Sequence, residues 1–215
     1  MTNRYSHFDA AHAYTLQKRE HGVLRILRRI GMTNLDVCKI LEVGCGDGFW
    51  LSEFVKWGAD PKNITGIDID QDRVDEARNR VPATLNVDYG NGASLPYPDN
   101  SFDIVLQSTV FTSLLDSHMR QRVANEMKRV VTVDGVILWY DFHVNNPKNL
   151  HVRRVGHGEL RQLFSGCEIR AERITLAPPL ARFFAPWSAA LCAFLEIFPF
   201  LRTHYLATIR KVPSE

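Results

Sequence analysis

The amino-acid sequence predicts an α/β fold: a doubly wound, mostly parallel seven-stranded sheet with an antiparallel C-terminal edge strand. Three observations lead to this prediction. Short apolar runs alternate with amphipathic helical segments from residue 39 to residue 142, which is typical of successive βαβ units. A glycine-rich turn follows the first apolar run. A long excursion separates the last two apolar runs, which indicates an antiparallel pair.

Hydrophobic periodicity places the elements in chain order. The first helix is followed by Gly31, a residue type that commonly ends helices. The predicted helices cover residues 9–30, 49–57, 72–81, 116–131 and 157–164. The predicted strands cover residues 39–43, 64–68, 84–89, 102–108, 136–142, 168–176 and 204–212.

Length and composition indicate a single domain. The 215 residues divide into an N-terminal helical cap (1–36), a ligand-binding core (37–142) and a substrate-side and C-terminal edge region (143–215). Lys and Arg number 26 against 24 Asp and Glu, and a net charge of +2 gives no reason to expect a nucleic-acid partner. The four cysteines form no CxxC pair and the N-terminus has no apolar signal segment, so we expect reduced thiols and a cytoplasmic location.

The strongest local signal is the turn after the first strand, LEVGCGDG at residues 41–48. Glycines at alternate positions allow backbone angles closed to other residues and let a ligand approach closely. A dinucleotide pattern would place a third glycine at position 49, where this chain has Phe49. Glu42 precedes the turn and can pair with a cation. Asp68 ends the next strand, where a carboxylate can accept both ribose hydroxyls. The spacing predicts a nucleoside ligand without a pyrophosphate.

Four motifs in register resemble the class I S-adenosylmethionine-dependent methyltransferases. They are LEVGCGDG at 41–48, GIDID at 66–70, LPYPDNSFDIVL at 95–106 and EMKRVVTVDGVILWYDF at 126–142. The resemblance covers residues 39–142, about half the chain, and is to the small-molecule type, similar to the ubiquinone and menaquinone biosynthesis methyltransferases. It implies a Rossmann-like fold, S-adenosyl-L-methionine as the methyl donor and S-adenosyl-L-homocysteine as the product. We expect no metal site.

The resemblance also implies roles for individual residues. The backbone of Gly44, Cys45 and Gly46 would contact the cofactor, with Cys45 as a small packing residue rather than a nucleophile. Glu42 would lie near the cofactor's amino group, Asp68 would bind its ribose, and Ile69 would pack on its adenine. The remaining cofactor contacts would be Asn91, Gly92 and Ala93 at the adenine edge and Gln107 at the methionine portion.

Two positions depart from the family pattern. Asn91 stands where the family often has Asp, and an amide can still recognise adenine because it both donates and accepts. Residues 133–135 (Val-Asp-Gly) replace a common Pro-Gly-Gly in what we expect to be a structural turn.

Acceptor groups are expected past the ends of the fourth and fifth strands. A general base is needed only for a weakly nucleophilic acceptor, and His143 and Asp141 are the catalytic candidates, with His143 leading. The candidate substrate contacts are Phe111, Arg153 and Arg154. A structural histidine and a solvated arginine pair are the alternatives. Tyr5, Tyr14 and Arg19 form a candidate N-terminal lid, although a solvated face also explains the basic residues of the first helix.

Residues 180–201 are rich in Phe, Trp and Leu, but their uncharged apolar run is too short to cross a membrane. One interpretation is a packed helix or a homodimer interface. The other is a hydrophobic lid for an apolar or lipid-linked acceptor, with peripheral membrane contact.

Taken together, these features favour methyl transfer by in-line displacement to a small molecule, a lipid-linked compound or a glycan precursor. One rival is a nicotinamide-dependent oxidoreductase on a Rossmann fold, against which Phe49 counts. Another is a non-catalytic module that binds S-adenosylmethionine.

Overall fold

Seven strands form one sheet in the computed structural model, which describes residues 6, 8–145, 149 and 151–212. The strands are β1 (Ile40–Val43), β2 (Ile64–Asp68), β3 (Asn86–Tyr89), β4 (Phe102–Ser108), β5 (Val131–Phe142), β6 (Cys167–Leu176) and β7 (Arg202–Lys211). The helices are α1 (Ala10–Arg29), α2 (Phe49–Lys56), α3 (Gln71–Arg80), α4 (Ser117–Val130), α5 (His157–Leu163), α6 (Pro178–Phe184) and α7 (Ala189–Leu195). The predicted helices and strands are present, and only β5 begins far from its predicted boundary.

The strands lie in the order β3-β2-β1-β4-β5-β7-β6. Strands β1 to β5 run parallel, while β7 runs antiparallel to both β5 and β6. The predicted fold class, a mostly parallel seven-stranded sheet ending in an antiparallel C-terminal strand, is therefore confirmed. Because β7 lies between β5 and β6, the outermost strand is β6, and it runs in the same direction as β5.

Helices cover both faces of the sheet. α1, α2 and α3 pack on the face that includes Ile40, whereas α4 and α5 pack on the face that includes Leu41. Side chains alternate along a strand, so Glu42 and Ser108 point to the first face and Gln107 to the second. This alternation decides which polar side chains meet at the carboxyl edge of the sheet.

Strand β5 begins at Val131 rather than at Val136. Its pairing with β4 shifts register there: Val131 pairs with Phe102 and Val136 with Ile104, so the intervening residues of β5 form a bulge. The turn expected at residues 133–135 lies in this bulge, within one strand. A Cβ on Gly135 would stand 2.8 Å from the carbonyl oxygen of Asp103, which explains the glycine.

The excursion from β6 to β7 forms α6 and α7, which pack against the N-terminal half of α1. Glu196 joins these elements, because its carboxylate accepts hydrogen bonds from the Tyr14 hydroxyl (2.8 Å) and the Leu176 N–H (2.9 Å) and pairs with Lys18 (3.1 Å). The inner side of the excursion, which includes Cys192, is buried. Within the described ranges, no helix is both long enough and apolar enough to span a membrane.

Candidate active site

Three glycines shape the turn after β1. Gly44, Gly46 and Gly48 have φ angles of 72°, 54° and 78°, a backbone region that other residues avoid. At Gly44 a Cβ would also stand 2.3 Å from Cγ2 of Val110 in the loop after β4. The Gly44 N–H donates to the Ile67 carbonyl at 2.8 Å, which fixes the turn against the end of β2. The glycines therefore let the turn after β1, the end of β2 and the loop after β4 meet closely at the carboxyl edge of the sheet.

Asp68, the last residue of β2, directs its carboxylate at this turn. One oxygen accepts from the Gly46 N–H (2.8 Å) and the other from the Asp70 N–H (3.0 Å). The Asp68 carbonyl accepts from the Gly90 N–H, which brings the loop after β3 alongside. Backbone groups thus orient the carboxylate, and each oxygen keeps a lone pair that can accept a ribose hydroxyl.

Glu42 lies on β1 just before the turn and is 2% exposed. Burial raises its carboxyl pKa well above the ordinary value, and the nearby Asp47 adds to the rise, while Arg19 and the Leu51 N–H at the start of α2 oppose it. Its Oε2 atom is buried and has no hydrogen-bond partner among the described residues. An unsatisfied buried oxygen of this kind is costly unless a ligand completes it.

Arg19 brings a positive charge to the same place from α1. Its Nη2 donates to Oγ of Ser108 at 2.7 Å, and its guanidinium lies over the rings of Trp50 (5.1 Å) and Tyr140 (4.5 Å). These cation–π contacts hold the guanidinium in place. In the part of the chain that the structure describes, Nε of Arg19 and the indole N–H of Trp50 are buried without an acceptor.

The unsatisfied atoms match the amino-acid end of the implied cofactor, S-adenosylmethionine. Glu42 Oε2 can accept from an ammonium group, and Arg19 Nε can donate to a carboxylate. Asp68 offers acceptors for the ribose on the neighbouring strand. The residues present therefore fit the cofactor.

The loop after β3 borders the same position. The Asn91 side-chain oxygen accepts from the Ala93 N–H at 2.9 Å, which shapes a turn. A Cβ on Gly92 would stand 2.9 Å from Cγ1 of Val43, so the glycine lets the loop approach β1. Ile69 is 63% exposed and leaves an apolar surface on which a ring can pack. Their adenine contacts stay predictions.

Gln107 lies on the α4 face and is fully buried. Its amide donates to the Tyr140 carbonyl (3.3 Å) and accepts from the Val110 N–H (3.1 Å). The side chain therefore shapes the loop after β4 and faces away from Glu42. Its contact with the methionine portion stays a prediction, and this placement gives it no support.

Asp141 and Phe111 are also enclosed on the α4 face. The Asp141 carboxylate accepts from the Phe111 N–H (3.1 Å) and from the Thr112 hydroxyl, and burial raises its pKa to about 7 despite these bonds. The Phe111 ring packs with Trp139 and Phe164 in the core. In this arrangement Asp141 positions the loop. The catalytic role of Asp141 and the substrate contact of Phe111 stay predictions.

His143 follows β5 and is half-buried. Its Nε2 lies 2.9 Å from the Arg202 carbonyl, and since a carbonyl only accepts, Nε2 carries the proton and Nδ1 is the basic atom. Its ring packs on Tyr205, with centroids 4.4 Å apart. Burial lowers the pKa of His143, which favours the neutral form near pH 7. Its catalytic role stays a prediction.

Arg153 and Arg154 lie exposed on the loop before α5. The Arg153 guanidinium pairs with Glu159 at 3.0 Å, and the Arg154 N–H donates to the Asn145 side chain at 3.0 Å. Their contact with an anionic substrate group stays a prediction.

The three candidate lid residues do not lie together. Arg19 reaches the site, whereas Tyr14 is buried with its hydroxyl on Glu196. Tyr5 lies outside the described residues.

Cys45 is buried against Gly66. A Cβ added at Gly66 would stand 2.9 Å from the Cys45 sulfur, and burial raises the pKa of the Cys45 thiol. That surrounding fits a packing residue. The described residues contain no group of three or more His, Cys, Asp or Glu side chains arranged to hold a metal ion.

Comparison with known proteins agrees with this geometry. Residues 41–139 match the family model of a methyltransferase domain. Residues 41–139, just under half of this chain, therefore carry a methyltransferase domain, and a protein named as S-adenosylmethionine-dependent is among its relatives. Its relatives include a probable S-adenosylmethionine-dependent methyltransferase of Mycolicibacterium smegmatis, 28% identical over 151 residues (62% of this chain, 52% of that protein). They also include the phthiotriol/phenolphthiotriol dimycocerosates methyltransferase of Mycobacterium tuberculosis, 33% identical over 136 residues (62% of this chain, 48% of that protein).

The fold of this chain is similar to that of a putative sarcosine dimethylglycine methyltransferase from Galdieria sulphuraria, with a TM-score of 0.66. The two chains are 16% identical, and the match covers 91% of this chain and 86% of the other. This chain spans about half the length of the curated relatives it matches. The comparisons favour neither an oxidoreductase nor a non-catalytic module, and the ubiquinone and menaquinone type stays a prediction.

Sequence reasoning missed three residues beside the candidate site. Ser108, Trp50 and Tyr140 hold the Arg19 guanidinium, although none was a candidate. Ser108 could have been found, because strand alternation places it, and not Gln107, on the same face as Glu42. Trp50 and Tyr140 carried no signal beyond their apolar character.

Proposed function

We propose that this chain transfers a methyl group from S-adenosylmethionine to a small organic acceptor at the carboxyl edge of β1 and β4. The observation that carries the proposal is the pair of unsatisfied buried atoms beside the glycine turn, Oε2 of Glu42 and Nε of Arg19. Their opposite charges suit a zwitterionic amino-acid group, and Asp68 suits a ribose.

The protein's contribution is to bind and orient. The bound cofactor supplies an electrophilic methyl group on a sulfonium for in-line displacement. Glu42 and Arg19 hold the amino-acid end, while Asp68 and the Gly44–Gly46 backbone hold the nucleoside end. For a hydroxyl acceptor, Nδ1 of His143 is the base we favour, because its Nε2 is engaged by Arg202 and its lowered pKa leaves the ring neutral.

We propose an apolar or lipid-linked acceptor in preference to a free glycan precursor. The excursion that follows β6 places a largely apolar surface at the same edge of the sheet as the cofactor position. The mycobacterial relative is named for phthiotriol and phenolphthiotriol dimycocerosates, which supports an organic small-molecule acceptor here. Arg153 and Arg154 are the candidate contacts for an anionic group on that acceptor.

Ligand binding tests the donor. S-adenosylhomocysteine should raise the Tm and bind in calorimetry, whereas NAD should do neither. Asp68→Ala should abolish the effect, since the ribose loses its acceptors. Asp72→Ala removes an exposed carboxylate nearby and should bind like the parent. Stabilisation by NAD in place of S-adenosylhomocysteine, or equal effects of the two variants, would refute the proposed donor site.

A further inference from the structure

The excursion between β6 and β7 presents an exposed apolar face. Trp187 is 85% exposed and Phe200 is 75% exposed, and the same excursion carries further exposed large apolar side chains. We call this surface the apolar face: Phe183, Trp187, Phe194, Ile197, Phe198 and Phe200. Aromatic contacts join three of its members, with ring centroids 5.8 Å apart between Phe194 and Phe198 and between Phe198 and Phe200. Monomeric proteins rarely expose this many large apolar side chains on one short segment unless the segment binds something.

The apolar face lies at the edge of the sheet that holds the cofactor position. His204 at the start of β7 pairs with Phe142 at the end of β5 and with Ile174 near the end of β6. The excursion therefore projects from the carboxyl edge. The contact between Glu196 and Tyr14 anchors it to α1, and Arg19 follows Tyr14 by about 8 Å along the helix axis. One helix thus connects the apolar face to the site.

The charges around the apolar face are mainly positive. Glu196, the carboxylate of the excursion, points inward to Tyr14, Leu176 and Lys18. Among the described residues, no carboxylate pairs with Arg173, Arg182 or Arg202.

A cavity of about 250 Å³ adjoins the face beside Ile197. Four cationic side chains and two carboxylates line it, together with neutral residues; the charged ones are Lys18, Arg25, Arg173, Arg202, Glu172 and Glu196. An anionic group is therefore favoured at this margin.

We propose that the apolar face docks on an anionic lipid bilayer. The aromatic side chains enter the interfacial region, and the positive charges of Arg173, Arg182 and Arg202 attract lipid phosphates at its margin. A second copy of this chain fits less well. A two-fold contact would bring the same set of cations, without paired carboxylates, from both copies into one interface.

The docking surface gives the site a source of substrate. Resting on the proposed function, the inference names the acceptor as a membrane-resident amphiphile that enters from the bilayer beside α1. Membrane binding itself needs no cofactor, so the two proposals are separable by experiment.

Flotation of the full chain with vesicles tests the docking. Vesicles of phosphatidylcholine with phosphatidylglycerol should carry the protein, vesicles of phosphatidylcholine alone should carry much less, and added salt should weaken binding. The double variant Trp187→Ser with Phe200→Ser should lower partitioning by roughly tenfold or more, since two exposed aromatic side chains that enter the bilayer are lost. The matched control, Val37→Ser with Val133→Ser, removes two exposed apolar residues elsewhere and should float like the parent.

Three outcomes would overturn the docking proposal. They are no flotation on either vesicle, equal flotation of the two double variants, and a dimer in sedimentation that only the Trp187 and Phe200 variant converts to monomers. Binding of S-adenosylhomocysteine is measured on the same samples. Flotation without that binding refutes the proposed function and leaves the docking intact, and the reverse result refutes the docking alone.

Discussion

Arg19 on the N-terminal helix donates a 2.7 Å hydrogen bond to the hydroxyl of Ser108 at the carboxyl end of β4. These residues are 89 positions apart in the chain. Their contact closes the first helix over the edge of the sheet and places a guanidinium near the buried carboxyl of Glu42, whose pKa it lowers. The helix that resembles a solvated amphipathic element in the sequence therefore brings a charged side chain to the candidate site.

Arg19→Met should weaken S-adenosylhomocysteine binding by roughly ten- to a hundredfold, because one charge-assisted hydrogen bond to the ligand carboxylate is lost. Calorimetry with 5′-methylthioadenosine, which lacks the amino-acid portion, should show little change. Arg28→Met, on the exposed side of the same helix, is the control and should bind both ligands normally. Equal losses for the two ligands would contradict a carboxylate-binding role.

Glu42 should make cofactor binding depend on pH. Burial raises its pKa in the free protein, so its carboxyl is protonated over a pH range in which an ordinary glutamate is charged. A bound ammonium lowers that pKa again, so binding releases a proton and the affinity rises with pH up to the free-protein value.

Calorimetry in buffers of different ionisation enthalpy measures this proton release. Glu42→Gln should bind more weakly and release no proton, whereas the exposed Glu76→Gln should behave like the parent. Proton uptake when the ligand binds to the parent protein would contradict the predicted proton release.

Gly44→Ala should be more destabilising than Gly58→Ala. Both glycines have positive φ, which costs a residue with a Cβ about 1–2 kcal/mol. At Gly58 nothing lies within 4 Å of the added atom, whereas at Gly44 it would meet Val110 at 2.3 Å and add an overpacking cost of about 1–3 kcal/mol. Urea unfolding of the two variants gives the difference, and equal losses would show that the Val110 contact relaxes freely.

Arg120 should be a major contributor to stability although it lies away from the cofactor position. Its fully buried guanidinium donates to the Leu114 carbonyl (2.6 Å), the Glu159 carboxylate (2.6 Å) and the Arg153 carbonyl (2.9 Å). Arg120→Met should cost about 2–4 kcal/mol, because the Leu114 and Arg153 carbonyls lose a buried donor and the ion pair with the partly exposed Glu159 is broken. The exposed Arg122→Met should change the free energy of unfolding by less than about 0.5 kcal/mol. Urea denaturation measures both, and similar losses would refute the role.

Most of the fold could be predicted from the sequence, because it depends on local signals. Strand and helix periods, the turn glycines and the position of Asp68 all follow from residue spacing. The start of β5 could not, because its first residues pair with β4 only through a bulge. A bulge is a property of two strands together, and neither sequence segment records it.

For this protein, the sequence by itself determined the fold class, the glycine turn and the carboxylates Glu42 and Asp68. Only the tertiary structure decided that Arg19 lies beside Glu42 and Ser108, that Gln107 and Asp141 lie on the opposite face of the sheet from Glu42, and that the aromatic side chains of the excursion stay exposed at the carboxyl edge. The physical reason is the separation along the chain over which each effect acts. Backbone angles and periodicity act between neighbours in the chain, whereas burial, charge pairing and the face on which a side chain lies depend on elements that are distant in sequence.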